Sequence, residues 1–362
     1  MKIALLGDIA FFGKFSLENN QDIFEYFKEV SEKLKEYDLV VGNLETPFVI
    51  PGTKSFGHKS AYIESSPKNI ALLKYLNIDV VNLANNHIYD FGASSYEMTK
   101  KLLSENNIKY FGVENQQLII ESDSNKIAIN GYCCYSTNPL GIHSNKRKGI
   151  NELNIPDIEE QLLCNKKNKL FTIFGVHCGQ EHVNYPNYDH ILMARKLSEI
   201  DSYVFYGHHP HVAQGIEKLN QSLLAYSLGN FCFDDVYTSK SKEPLIKQSE
   251  NNKESFILEI EIVDNNLINH AIIPIYMGLD KMSIGNPDIS KKIRDYSKKL
   301  EIGKEEYKQN RKELIDSYIS NRKQKRDFNW YLKRMNYKSA FLILFSKLNA
   351  KKYKKSVTDH LY

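Results

Sequence analysis

Long hydrophobic runs are missing from this chain of 362 residues. The best candidate, residues 340–345, falls far short of the roughly 20 apolar residues a membrane-crossing helix needs, so no transmembrane helix is expected. The opening Met1-Lys2-Ile3-Ala4-Leu5-Leu6-Gly7-Asp8 reaches a carboxylate after four apolar residues, too few for a secretory leader. A cytoplasmic protein without a signal peptide is therefore expected. Cysteine is scarce too: there are 5, an odd number, Cys133 and Cys134 are adjacent, and no Cys-x-x-Cys pair occurs. That excludes a zinc finger and a disulfide framework, and reduced thiols are expected. Internal repeats and low-complexity tracts are absent as well.

What is present is enough apolar residue, 42%, for a sizeable globular core. The net charge of +4 hides an asymmetry. Residues 291–362 hold 21 Lys and Arg against 8 Asp and Glu, whereas residues 1–290 hold 27 against 36. Such a division suggests a separate role for the tail, either docked on the acidic body or touching an anionic partner.

Apolar runs at 2–6, 38–41, 79–84, 170–176 and 202–206 read as strands. Between them Ile23, Phe24, Phe27, Val30 and Leu34 have helical spacing, as do Ile70, Leu73 and Leu76 after Pro67, and Leu192, Ala194, Leu197 and Ile200. This alternation predicts βαβ units with mostly parallel strands, which place ligand-bearing residues on the rim at the strand carboxyl ends. Segments 117–122 and 126–132, and again 256–263 and 268–276, read as antiparallel hairpins. Hairpins mixed into a parallel sheet point to an α/β sandwich of two sheets with helices outside. A boundary is expected at Gly285-Asn286-Pro287, with residues 1–285 forming the main domain and 286–362 a basic helical extension.

Polar clusters end these runs. Asp8 follows the first, behind a glycine that permits close approach of backbone to a ligand. In Asn43-Leu44-Glu45 the side chains two apart share one side of an extended segment, and Glu45 could bridge two metals. Asn85-Asn86-His87, with Asp90 beyond, sets a neutral amide ligand beside a proton donor. His177 follows the strongest strand, with Glu181 four residues on. His209-Pro210-His211 directs two rings to one side of an extended chain, and neutral imidazoles held so suit zinc, manganese or iron. Any one cluster is also what turns and helix caps use; the ordered set is specific.

Taken in order, Gly7-Asp8, Asn43-Leu44-Glu45, Ala84-Asn85-Asn86-His87, His177-Cys178-Gly179-Gln180-Glu181, Gly207-His208-His209-Pro210-His211 and Ser227-Leu228-Gly229-Asn230-Phe231 resemble the CapA family of capsule and poly-γ-glutamate synthesis proteins. That family looks like a branch of the calcineurin-like metallophosphoesterases, which implies a four-layer α-β-β-α sandwich with a metal site on the rim, over roughly residues 1 to 280. The resemblance implies Asp8 and His211 on one metal, Asn86, His177 and His209 on a second, and Glu45 between them. It makes His87 the acid that protonates the leaving group in metal-assisted hydrolysis of a phosphate-containing or polymer substrate. Glu181 is an added carboxylate that orients His177 or serves as a further ligand, and His208 is a neighbour. Three departures stand out: Ala10 where metallophosphoesterases carry a histidine, Glu45 where the bridge is usually aspartate, and Cys178 where relatives commonly carry tryptophan. One or two divalent ions, manganese, iron or zinc, are thus expected.

From Phe328 through Trp330, Tyr331, Leu332, Met335, Phe341, Leu342, Phe345 and Leu348 apolar residues recur at helical spacing among lysines. This basic helix either lies in the inner membrane interface or docks on the body with its lysines in water. Nucleic acid is not an expected partner, because no recognition motif accompanies the charge. The rival to a hydrolase is a non-hydrolytic metal-binding subunit that scaffolds a membrane-bound polymer synthase through this tail.

Overall fold

The computed structural model describes residues 1–122, 124–238, 241–324 and 335–362. In chain order its strands are β1 (Lys2–Ile9), β2 (Leu39–Leu44), β3 (Val80–Asn82), β4 (Lys109–Phe111), β5 (Leu118–Glu121), β6 (Lys126–Cys133), β7 (Phe171–His177) and β8 (Tyr203–His208). They continue with β9 (Ile216–Leu219), β10 (Ser222–Ala225), β11 (Asn230–Cys232), β12 (Val236–Thr238), β13 (Ser241–Ile246), β14 (Glu254–Val263), β15 (Asn266–Met277) and β16 (Met282–Ile284). One large sheet runs β16-β15-β14-β1-β2-β3-β4, with β11 also paired to β1; a second runs β5-β6-β7-β8-β10-β9, and β12 and β13 form a separate two-stranded ribbon. Strands β1 to β4 are mutually parallel, and so are β6, β7 and β8, which leaves both sheets with carboxyl ends free for ligands.

Period-two alternation stacks the layers. Ile3 and Leu5 of β1 share one buried cluster with Val204 and Tyr206 of β8, so the two sheets pack face to face. Ala4 and Leu6 point the other way, into a cluster with Phe27, Val30 and Leu73 from the helices. On the far side, Tyr203 and Phe205 pack against Ile158, Leu162, Ala194 and Leu197. The result is the expected α-β-β-α order, and truncating Leu5 at its centre would cost about 2–5 kcal/mol.

The expected helix from Ile23 to Leu34 is instead two, Ile23–Tyr26 and Lys28–Leu34. At the break Phe27 is wholly buried, with its ring 6.4, 6.0 and 6.3 Å from those of Phe11, Phe15 and Phe231. Aromatic packing overrides local propensity there. Both expected hairpins form, as β5–β6 and β14–β15.

At the expected boundary, the helix Pro287–Lys298 starts with proline in its first turn, and the Asn286 side chain accepts from the Asp288 N–H at 2.9 Å. Its Ile289 and Ile293 enter the core between the sheets. Two further α-helices follow among the described residues, Lys304–Gln324 and Tyr337–Leu361. The stretch expected to begin the basic helix, with Phe328, Trp330, Tyr331 and Leu332, lies outside the described residues. No described helix is long and apolar enough to cross a membrane.

Candidate metal centre

Parallel register brings the strand-end clusters together. Asp8 on β1 lies opposite Asn43 on β2 and Asn230 on β11, while His177 on β7 lies opposite His208 on β8. Gly7 is needed here for a different reason than expected: a Cβ on it would sit 2.0 Å from the Gly229 carbonyl oxygen. The close approach is by the chain's own loop, which accepts the Asp8 N–H at 3.0 Å, and not by a ligand.

The convergence yields two groups of donor atoms. Glu45, His177 and His209 have ligand atoms within 4.8 Å of one another, and so do Asp8, Glu45 and His211. Glu45 belongs to both. Its Oε1 is 3.6 Å from His177 Nε2 and 3.8 Å from His211 Nε2. Asn86 Oδ1 lies 2.8 Å from His177 Nε2, so the amide joins the first group. Asp8 Oδ2 is 3.4 Å from His211 Nδ1 and accepts the backbone N–H of His209 at 3.2 Å, while Asn43 Nδ2 donates to Asp8 Oδ1 at 2.7 Å. All six expected ligands, Asp8, Glu45, Asn86, His177, His209 and His211, thus surround one buried space.

These residues fit divalent cations. Glu45 is wholly buried, and neither carboxylate oxygen has a hydrogen-bond partner. A desolvated, unpaired carboxylate costs several kcal/mol, a cost that a cation between the two groups removes. Burial, and next the charge of Asp8, pushes the Glu45 carboxyl well above the usual carboxylate range. Burial also raises Asp8, but its contacts with His208, His211 and Asn43 outweigh this and leave it below its ordinary value. Burial and the neighbouring imidazoles hold His177 well below the usual histidine range; burial, opposed by Glu181, lowers His209 to about 4. Those rings are therefore neutral near pH 7, the state in which imidazole ligates a metal.

Around this cage sits a set of positioning bonds. Asn230 Oδ1 lies 2.9 Å from His211 Nδ1, which fixes the tautomer whose Nε2 faces Glu45. Asn252 Nδ2 donates to the His211 carbonyl at 2.8 Å. Asn85 keeps its side chain out of the cage: it donates to the Leu44 carbonyl at 2.8 Å and accepts the N–H groups of His87 and Ile88, so its loop presents Asn86 and His87. His87 Nδ1 lies 2.6 Å from Asp90 Oδ2. Lys59 Nζ donates to Asp90 Oδ1 at 2.6 Å and to the Asn86 carbonyl at 2.7 Å. Burial depresses the pKa of His87, and Asp90 only partly offsets it.

One expected geometry is corrected. His209 and His211 are not on an extended chain: their φ angles are 90° and 57°. The backbone turns sharply after β8, and these left-handed conformations aim both rings inward, with centroids 5.9 Å apart. Glu181 is half-buried and close enough to His209 to raise its proton affinity, yet it belongs to neither three-ligand group. His208 Nδ1 stands 3.4 Å from Asp8 Oδ1 and is likewise in neither. Ala10 is packed among Ala61, Ile63, Phe233 and Val236. Cys178 faces away from the cage, 3.3 Å from His190 Nδ1, whose Nε2 is 2.9 Å from the Tyr353 hydroxyl. Lys59 and Asn252 were missed by the sequence reading, since Lys59 stands on an irregular segment and Asn252 on a four-residue helix too short to show periodicity; Asn230 stood in a recognised motif without a role.

A family model described as bacterial capsule synthesis protein PGA_cap matches residues 2–235. The capsule biosynthesis protein CapA of Bacillus anthracis is 27% identical over 267 residues, spanning 70% of this chain and 64% of that protein. The PGA biosynthesis protein CapA of Bacillus subtilis strain 168 is 28% identical over 238 residues, spanning 62% of this chain and 60% of that protein. The chain thus covers less than two thirds of the length of these relatives. Among solved structures, the NAD nucleotidase of Haemophilus influenzae is 16% identical, spans 91% of this chain and 68% of its own, and aligns with a TM-score of 0.43.

Proposed function

This chain belongs to the bacterial capsule synthesis family PGA_cap, and from that membership and the geometry of its buried cage we propose a metal-dependent hydrolase of the phosphoesterase type that acts in making a capsule or other surface polymer, poly-γ-glutamate or polysaccharide. The observation that carries the reading is Glu45, shared by two ligand groups with both oxygens unpaired. Asp8 and His211 would hold one cation, Asn86, His177 and His209 a second, and Glu45 would lie between. Bound there, divalent ions lower the pKa of water and offset charge on the substrate's oxygens. The residues around them supply the rest. Asp90 would accept a hydrogen bond from His87 Nδ1–H and stabilise the protonated ring, so that His87 Nε2–H is the group that passes its proton to the departing alkoxide and leaves the ring neutral. Glu181, near His209, adds negative charge at that side of the cage and favours cation capture. The chemistry would belong to residues 1–285, with residues 286–362 a basic extension whose first helix is anchored in the core by Ile289 and Ile293.

Ala10 favours a second reading, a metal-binding scaffold of a polymer synthase without turnover, because an apolar cluster fills the place where metallophosphoesterases carry a histidine. Metal analysis of the purified chain, followed by phosphomonoester and phosphodiester assays with added manganese, separates the two. Turnover that depends on manganese supports the hydrolase; bound metal without turnover selects the scaffold.

A further inference from the structure

We propose that the first half of the C-terminal helix, residues 337–348, is a docking face for an anionic lipid surface. The helix Tyr337–Leu361 has two faces that do not follow the usual rule. Its body side is traced by Ser339, Leu342, Ser346, Asn349, Tyr353 and Val357, each partly or fully buried. That side is anchored at its later end: Asn349 Nδ2 donates to the Tyr135 carbonyl at 3.0 Å, the Tyr353 hydroxyl meets His190 at 2.9 Å, and Val357 is 6% exposed. Toward the helix start the body side keeps Leu342 between the small polar Ser339 and Ser346, and the other large apolar residues are turned outward.

Tyr337, Phe341, Leu344, Phe345 and Leu348 stand at i, i+4, i+7, i+8 and i+11, a single stripe. They are exposed by 76, 50, 58, 36 and 56% respectively, and the rings of Phe341 and Phe345 stack at 6.1 Å. A contiguous apolar stripe in water marks an interaction surface. Its flanks choose the partner. Lys338, Lys347 and Lys351 are exposed beside it, and from residue 335 to 358 the chain has no Asp or Glu. A second copy of the same helix would bring like charges together, whereas an anionic bilayer accepts the apolar stripe and neutralises the lysines at once.

The stripe is joined to the rim of the metal centre. The ring of His58 is 5.0 Å from that of Phe341, and the next residue, Lys59, holds Asp90 beside His87. A bilayer seated on the stripe therefore lies next to the loop that presents His87. The proposal stands apart from the hydrolase reading, since lipid binding requires no turnover.

The test is co-sedimentation of the full, metal-loaded chain with vesicles of phosphatidylcholine alone and of phosphatidylcholine mixed with phosphatidylglycerol. The expected result is binding at least roughly tenfold tighter to the anionic vesicles, weakened by salt. Phe341→Asp combined with Leu344→Asp should abolish it, and Lys338→Glu combined with Lys347→Glu should reduce it severalfold, with circular dichroism and metal content unchanged. Equal partitioning to both vesicle types, no partitioning, or wild-type binding by the aspartate variant overturns the proposal. A concentration-dependent dimer that the aspartate substitutions dissolve overturns it too, by giving the stripe to a second copy.

Discussion

Glu45 Oε1 stands 3.6 Å from His177 Nε2, both side chains are fully buried, and no hydrogen bond reaches either oxygen of the carboxylate. One residue thereby joins two ligand groups, each drawn from both sheets. Replacing it tests whether the cage is built for cations. In Glu45→Gln both groups lose their shared charge, so bound metal should fall to background by elemental analysis. Added manganese should no longer raise the melting temperature, whereas the wild type gains about 4 kcal/mol when the ion is at a thousand times its Kd. The metal-free variant should be at least as stable as the metal-free wild type, because an unpaired buried carboxyl has been removed. Retained metal in Glu45→Gln would refute the shared role.

His87 separates chemistry from binding. It is in neither ligand group, and its Nδ1 is committed to Asp90 at 2.6 Å. His87→Ala should keep metal at the wild-type ratio while kcat for a phosphodiester falls about 10²–10⁴-fold. Unchanged turnover would remove the acid role from His87.

Lys59 supports that pair from below. Its side chain is 8% exposed and Asp90 is wholly buried, so Lys59→Met would leave a buried carboxylate with one partner fewer. A loss of about 3–5 kcal/mol is expected in urea unfolding, the cost typical of a broken buried ion pair. Asp90→Asn paired with Lys59→Met should recover part of it, since no uncompensated charge then remains. If Lys59→Met unfolds at the wild-type urea midpoint, the contact contributes nothing.

The candidate ligands were legible in the sequence because each follows a hydrophobic run, and parallel strands can deliver their carboxyl ends only to a common rim. Asp8, Glu45, His177 and the two histidines after β8 announce themselves in that way. The left-handed backbone of His209 and His211 was not legible, because nothing in His-x-His distinguishes a sharp turn from an extended pair; the surrounding contacts decide it. Lys59 reaches the site from an irregular segment 31 residues from Asp90, and Asn252 from a four-residue helix 41 residues from His211, too short to carry a periodic signal. The break at Phe27 was hidden for a related reason, since helical spacing records which residues are apolar and says nothing of the three rings waiting for one of them. The tail posed the opposite problem. Its residues suggested either membrane or body contact, and the helix Tyr337–Leu361 divides along its length, with Val357 buried, Tyr353 half-buried, and Phe341 and Leu344 in water.

Acid should release the metal, with a sign fixed by the cage. In the metal-free protein burial lowers His209 to about 4 and also holds His177 well below its ordinary value, so between about 4 and the ordinary 6.5 the unfolded chain binds protons that the native chain does not. Those two rings therefore withdraw stability as pH falls below 6.5. Glu45 acts oppositely: its native carboxyl stays protonated above 4.5, so its contribution is present at low pH and lost as pH rises through the elevated native value. A cation needs Glu45 ionised and the imidazoles neutral, so its binding displaces the Glu45 proton, and affinity should fall about tenfold per pH unit for each proton released. Manganese titrations by calorimetry in two buffers of different ionisation enthalpy should accordingly give different heats at the same pH, and a tighter Kd at about pH 8 than at about pH 6. Heats that agree between buffers, with a Kd independent of pH, would mean that the ion binds elsewhere and that Glu45 keeps its proton throughout.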